Sequence, residues 1–333
     1  MLRTLVMCIV VFWSCGASPL LAQSSAVLDA ALNGDPSAQF ELGSVYSDGV
    51  GVDQDPSKAF VWWRLAAHQG NTAAQYALGE AYERGRGVEQ DTAEAARWYQ
   101  VVADQGDAVA QYNRGYDYYY GEGVEQNYYE AVWWLRFAAN QGNADAQNGL
   151  GVAYLAGNGV GKDYDKALRW YRLAAEQDIP EAQFNLGDMY YYGNGVEQDY
   201  AEAVRWYRLA AEQGIANAQY KLALIHHDGE GFDHDYVEAI RWYRLASQQG
   251  YTDAQIGLGV AHIYGHGVDV DNVRALMWFQ VAASRERARM QNVRAPLLEM
   301  IDLIETEMTS AEIEEAQAMA QLCLSKNFRD CGE

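Results

Sequence analysis

The sequence predicts an all-α solenoid of seven 36-residue helix–turn–helix repeats with capping helices. Three observations predict it. Ala-Gln recurs at Ala38, Ala74, Ala110, Ala146, Ala182, Ala218 and Ala254. Tryptophan recurs at the same interval, at Trp62, Trp98, Trp134, Trp170, Trp206, Trp242 and Trp278. No insertion or deletion breaks the register across the seven copies. A fixed period of this length marks stacked supersecondary units, each burying its apolar face only against its neighbours.

The fifth copy, around residues 182–214, shows the unit. Its first helix is predicted over about residues 181–192, where Ala182, Leu186 and Tyr190 share one face. Gly187 lies inside that helix, where glycine costs roughly 1 kcal/mol against alanine. It recurs as Gly43, Gly79, Gly115, Gly151 and Gly259, with Ala223 the exception. Close approach of a neighbouring helix backbone is the expected reason. Gly193-Asn-Gly195 then ends the helix, since glycine tolerates the left-handed conformation that caps one. Seven such Gly-x-Gly triplets run from Gly49/Gly51 to Gly265/Gly267. They read as turns rather than phosphate loops, because none completes a dinucleotide fingerprint after a strand and none carries a Walker lysine. The second helix is predicted over about residues 200–212. There Ala203, Trp206, Tyr207, Ala210 and Ala211 form a broad apolar stripe. The phased tryptophans are read as core, so truncating Trp170 is expected to cost about 3–5 kcal/mol.

These residues resemble the Sel1-like repeat family, a relative of the tetratricopeptide repeats. The shared features are Ala-Gln-x-x-Leu-Gly-x-x-Tyr, Gly-x-Gly-Val, Asp-Tyr-x-x-Ala-x-x-Trp-Tyr and Ala-Ala-x-Gln-Gly, in phase over about residues 35–285. The resemblance implies a right-handed superhelix of antiparallel helix pairs with first helices lining the concave side. It also implies protein–protein interaction as the role, and an exported bacterial member acting in adhesion, host contact, envelope assembly or signalling. Some cysteine-rich relatives are described as penicillin-binding or β-lactamase-like, which makes a β-lactam-binding or hydrolase-like enzyme the alternative. Exported relatives with a disulfide in each repeat differ from this chain, whose repeats have none.

Residues 1–22 are expected to be a signal peptide. A short basic start with Arg3 precedes an apolar run over residues 5–13, too short for a comfortable membrane span, and Ala17 or Ala22 offers a cleavage site. A lipoprotein anchor at Cys15 is the alternative, but Phe12-Trp13-Ser14 fits a lipobox poorly. Residues 23–34 read as an N-terminal capping helix in phase with the second helices. The repeats fill residues 35–286, with copies beginning near Asp35, Asn71, Asp107, Asn143, Asp178, Ala216 and Thr252. The third copy departs most. Arg114 replaces the leucine of its first helix, and reads either as a binding residue or as a side chain reaching solvent past its buried stem. Residues 287–333 are expected to form C-terminal capping helices and a tied tail. Met290 and Gln291 keep phase, Pro296 should kink or restart the helix, and Thr309 with Glu312 makes a capping box before a helix over about residues 310–324. Of four cysteines, Cys8 and Cys15 leave with the signal, and Cys323 and Cys331 are expected to form a disulfide.

Charge narrows the function. The chain carries a formal −22. Loss of residues 1–22 removes one base, Arg3, and no acid, leaving 23 bases against 46 acids and a charge of −23. Nucleic acid is therefore not an expected partner, since its phosphates call for bases. No Ser-x-x-Lys, Gly-x-Ser-x-Gly or His-Glu-x-x-His motif is present, so no catalytic residue and no cofactor is expected. Five of six histidines, His226, His227, His234, His262 and His266, fall together in sequence. His226-His227-Asp228 beside His262 and His266 invites a metal reading. The reading preferred is packing, because His226 and His262 hold the phase of Tyr190, and no metal is expected.

A protein or peptide partner is expected on the first-helix face of copies three to six. Positions that vary between copies are free of the packing requirement. They are Glu41, Glu80, Asn113, Tyr116, Tyr120, Asn185, Asp188, Tyr192 and Lys221. Tyrosine offers rigid contact area with one polar tip. The alternative is that Tyr119, Tyr120, Tyr191 and Tyr192 only cover the turns.

Overall fold

The computed structural model describes residues 19–231, 233–286, 291–328 and 331. The expectations for residues 1–18, including Cys8, Cys15 and cleavage after Ala17, and for Met290 lie outside them. Among the described residues there are seventeen α-helices and no strand. The chain divides into two units, Met1–Lys162 and Asp163–Glu333.

In the first unit α1 (Pro19–Leu32) precedes the first copy. The copies follow as α2 (Pro36–Asp48) and α3 (Pro56–Ala67), α4 (Thr72–Arg84) and α5 (Thr92–Asp104), α6 (Ala108–Tyr120) and α7 (Tyr128–Asn140). Helix α8 (Ala144–Ala156) opens the fourth copy. In the second unit that copy continues as α9 (Tyr164–Ala175). The remaining copies are α10 (Pro180–Tyr192) and α11 (Tyr200–Glu212), α12 (Ala216–Asp228) and α13 (Tyr236–Gln248), α14 (Thr252–Tyr264) and α15 (Asn272–Glu286). Helices α16 (Gln291–Glu305) and α17 (Ser310–Ser325) follow. Within each unit each helix up to α15 packs on the next, and both α16 and α17 pack on α15.

Local chemistry sets the helix ends. Asp35, Asn71, Asp107 and Asn143 cap first helices, each side chain accepting from the backbone N–H three residues on. Such a cap contributes about 1 kcal/mol. The later copies open instead on Ile179, Ile215 and Tyr251, which make no cap bond. Ile215 and Tyr251 pack against the core there. The fifth copy therefore begins at Ile179, not Asp178. Asp178 holds a left-handed φ of 62°, in the place of Gly214 and Gly250. The aspartates of the Asp-Tyr pairs that follow the turns, Asp163, Asp199 and Asp235, cap second helices. At the turn, Gly193 ends α10 in the left-handed conformation. The second glycine of the triplet lies against backbone: a Cβ on Gly159 would stand 2.1 Å from the Tyr128 carbonyl oxygen.

Packing corrects two expectations. The glycine inside the first helix makes room for a side chain, not for a backbone. A Cβ on Gly187 would lie 2.6 Å from the Tyr207 ring, and one on Gly79 2.4 Å from Tyr99. Where the glycine becomes Ala223, the Tyr243 ring lies against Gly257 instead, 2.8 Å from where its Cβ would be. The tryptophans are also less uniform than their phase. Trp62, Trp134, Trp206, Trp242 and Trp278 are buried, but Trp98 and Trp170 are half-buried while the neighbouring Tyr99 and Tyr171 are buried.

The Ala-Gln and Gln-Gly pairs belong to one ladder. Buried Gln111 donates to the Ala103 carbonyl at 3.2 Å, and its Oε1 accepts from Gln141 at 2.7 Å. The same two bonds recur at Gln39, Gln75, Gln183 and Gln219. They add a second bond to carbonyls that already accept from the following turn, as Ala103 does from the Gly106 N–H at 3.0 Å, and so tie one copy to the next.

At the C-terminal end Pro296 sits inside α16 rather than restarting it. Thr309 and Glu312 form the capping box of α17. Cys323 is buried, and its Cα lies 4.9 Å from that of Cys331, with the two sulfurs paired.

Candidate protein-binding face

The nine residues expected to bind occupy three positions of the repeat, those of Asn185, Asp188 and Tyr192. Helical spacing at i, i+3 and i+7 puts the three on one face. The fixed Ala, Leu and Gly of the same helix point into the packing beside them, as Ala182, Leu186 and Gly187 do.

In the first unit Glu41 is exposed, and half-buried Glu80 pairs with Arg84 at 3.5 Å. Asn113 donates to the Tyr76 hydroxyl at 3.1 Å. Tyr116, 39% exposed, and Tyr120, 57% exposed, hold their rings 4.4 Å apart. Tyr120 also meets Tyr119 at 5.0 Å. Tyr119 is fixed in turn, edge-on to Tyr128, with its hydroxyl accepting from Asn158 at 2.9 Å.

In the second unit Lys221 donates to the Tyr192 hydroxyl at 2.8 Å. Its Nζ stands 4.9 Å from the Tyr191 ring centre and 5.0 Å from that of Tyr192. Tyr192 remains 54% exposed. Asp188 accepts from the Tyr207 hydroxyl at 2.5 Å. Burial raises the Asp188 carboxyl above its ordinary range, against the lowering effect of Tyr207 and Lys221. Asn185 is half-buried on the same face.

The structure thus brings Tyr116 to Tyr120 and Tyr192 to Lys221. Among the described residues Glu41 and Glu80 meet no other member of the expected set. Sequence reasoning missed the side chains that hold the tyrosines, Asn158 for Tyr119 and Glu230 for Tyr191. Both pairs span 39 residues, one repeat plus three, and that constant offset is the signal that could have found them.

A family model for the Sel1 repeat matches residues 36–71, 72–107, 108–143, 144–179, 180–215, 216–251 and 252–286. The chain belongs to the Sel1 repeat family. The crystal structure of a Sel1 repeat protein from Oxalobacter formigenes is similar, with 33% identity and a TM-score of 0.70 over 86% of this chain and 82% of that one. So is that of c5321, described as a protective antigen present in uropathogenic Escherichia coli strains with an SLR fold. It is 26% identical with a TM-score of 0.53, over 92% of this chain and 87% of its own. A search of the curated proteins returns no match. Among the described residues of this Sel1 repeat protein, no helix is long and apolar enough to cross a membrane.

Two further clusters depart from the pattern of the chain's other copies. Arg114 neither faces a partner nor reaches solvent: it is 7% exposed. It donates to Gln100 at 2.8 Å and to the Tyr118 hydroxyl at 3.0 Å, and lies 3.7 Å from Asp117. Arg114 replaces a core leucine, and Asp117 takes a core position three residues on, so one replacement accompanies the other. Burial pushes the Asp117 carboxyl up to about 7 even with Arg114 drawing it down.

The histidines fall into two sets. His226 is half-buried and His262 buried at the tyrosine phase, and burial lowers the pKa of both. His227 and His266 meet at 3.1 Å, a pairing that spans the same 39 residues as Tyr191 and Glu230. His234 donates to the His227 carbonyl at 2.7 Å, as Gln198 does to Tyr191 one copy earlier. Among the described residues no group of three or more His, Cys, Asp or Glu side chains is placed to hold a metal ion.

Proposed function

We propose that this Sel1 repeat protein is an exported, non-catalytic scaffold of the bacterial envelope or secreted fraction that holds a protein or peptide on its first-helix face. The observation that carries it is the division of labour on those helices. Ala182, Leu186 and Gly187 and their counterparts are buried and nearly invariant from copy to copy. The positions of Asn185, Asp188 and Tyr192 vary freely and include exposed tyrosines. Rigid, partly exposed aromatic rings beside hydrogen-bonding side chains suit a peptide backbone and its anchors. A charge of −22 favours a cationic partner and disfavours nucleic acid.

The partner test is capture from envelope extract with the secreted form of the chain as bait. Tyr116→Ala with Tyr192→Ala should weaken the captured complex by more than about 2 kcal/mol, the hot-spot threshold, while circular dichroism stays native. Full-strength binding by that variant would move the site off this face. Export is tested by intact mass with and without reductant. Loss of residues 1–22 and a two-proton difference between the forms are expected. Two freely alkylatable thiols at Cys323 and Cys331 in protein taken from the envelope would refute the exported, oxidised form.

A further inference from the structure

The first-helix ends of copies three and five build the same nook from equivalent residues. In copy five Tyr191 and Tyr192 meet at 4.8 Å, Tyr200 meets Tyr191 at 5.4 Å, and Glu230 accepts from Tyr191. In copy three Tyr119 and Tyr120 meet at 5.0 Å, Tyr128 meets Tyr119 at 5.0 Å, and Asn158 donates to Tyr119. Beside the rings Asn158 stands for Glu230 and Tyr116 for Asp188, and over the rings the difference is a cation. Over the Tyr191–Tyr192 pair the next copy places Lys221, whose ammonium lies 4.9 and 5.0 Å from the two ring centres. The position equivalent to Lys221 over Tyr119 and Tyr120 is Gly149. Among the described residues no cation lies over either ring.

Resting on the scaffold reading above, we infer that the Tyr119–Tyr120 nook receives a lysine or arginine side chain from a basic segment of the partner, in the place that Lys221 fills in copy five. The second unit shows what this frame does with an ammonium group: two ring faces attract it and a hydroxyl accepts from it. The first unit offers the same faces and adds a third, because Tyr116 stands 4.4 Å from Tyr120 where copy five has Asp188. Entry is open on the glycine side. The three atoms nearest a Cβ on Gly149 all belong to Leu135, the closest at an ordinary 3.4 Å. The surroundings select charge as well as shape. Exposed Glu122 follows the nook in sequence and acts electrostatically on Tyr120. A cation gains from both carboxylate and ring quadrupole, whereas an apolar side chain of equal length gains from neither.

The probe is a nine-residue peptide, Ac-Gly-Ser-Lys-Ser-Gly-Ser-Lys-Ser-Gly-NH2, against a twin with norleucine at both lysines. Each is titrated into the whole chain at 0.15 M salt and followed by calorimetry and by tyrosine ring resonances. The lysine peptide should bind at least fivefold more tightly than its twin and shift the Tyr116 and Tyr120 rings. Gly149→Lys supplies the cation from within and should weaken the peptide at least fivefold. Gly149→Ala should leave it unchanged, and Tyr120→Leu, at an exposed ring, should reproduce the loss without touching the helix. Lys221→Gly should open a second site of similar affinity, reported by Tyr191 and Tyr192. Equal binding of both peptides, or wild-type binding by Gly149→Lys, overturns the inference. A partner from envelope extract that is lost with Tyr116→Ala and Tyr192→Ala but holds Gly149→Lys at full strength overturns the nook and leaves the scaffold reading standing. Retention by both variants overturns both.

Discussion

Replacing Gly187 by alanine sets two well-known effects against each other. Alanine in a helix interior is favoured over glycine by roughly 1 kcal/mol. The added methyl would stand 2.6 Å from the Tyr207 ring, which is fully buried and bonded to Asp188. Inserting a methyl into a packed core costs about 1–3 kcal/mol. A shifted ring also strains a hydrogen bond to a carboxylate, worth about 1.5–3 kcal/mol. The crowding terms exceed the propensity gain, so Gly187→Ala should destabilise by about 2 kcal/mol. Copy six shows how the fold accepts alanine at this phase. Beside Ala223 the Tyr243 ring rests against Gly257 of the next copy, and one copy earlier the position equivalent to Gly257 is Lys221. Lys221→Gly should therefore recover part of the loss in the Gly187→Ala background, although alone it costs about 1 kcal/mol of helix propensity. The double-mutant cycle should show a favourable coupling of about 1 kcal/mol. Amide exchange over α10 and α11 is the proper assay alongside urea unfolding, because a solenoid loses stability locally. A Gly187→Ala protein more stable than wild type, or a cycle with no coupling, would refute the ring-seat account of the glycine.

Further outcomes follow from the same packing. Trp242→Ala should cost about 3–5 kcal/mol, since the ring is 2% exposed and its Nε1–H donates to Glu238 at 2.9 Å. Half-buried Trp170→Ala should cost less than half as much in the same urea series. Gln111→Leu removes one bond from the Ala103 carbonyl, which keeps the Gly106 N–H, and one from the Gln141 amide, which keeps the Gly106 carbonyl. It should lower stability by about 1–3 kcal/mol, with faster exchange where α5 and α6 meet. Asp107→Ala removes the cap of α6 and should cost about 1 kcal/mol, read as an earlier urea midpoint. Asp117 gives the pH dependence. Its folded pKa, about 7, stands above the ordinary 3.8, so its contribution is fully present below about pH 4 and is lost as pH rises through 7. Asp117→Asn should remove that decline, at most about 4 kcal/mol by linkage; an unchanged pH profile would contradict a proton held there.

Translation along the chain was legible in the sequence. The period, the helix pair and the turn follow from local chemistry repeated in register. An Asp or Asn caps a helix, a glycine with positive φ stops it, and small residues mark the packed face. The face that carries Tyr116, Tyr120, Tyr192 and Lys221 was legible too, because helical phase separates it from Ala182, Leu186 and Gly187. Only the tertiary structure decided what each face meets. Gly187 meets Tyr207 twenty residues on, Gln111 meets Gln141 thirty on, and Tyr119 meets Asn158 thirty-nine on. Those offsets depend on how helices cross and stack, and a helix's own pattern states which side is buried, not which neighbour fills it. Arg114 shows the same limit. Read alone at a leucine position it pointed outward, yet Gln100, Asp117 and Tyr118 give it a buried place. Burial of a charge turns on partners assembled from two helices, and no single helix displays them.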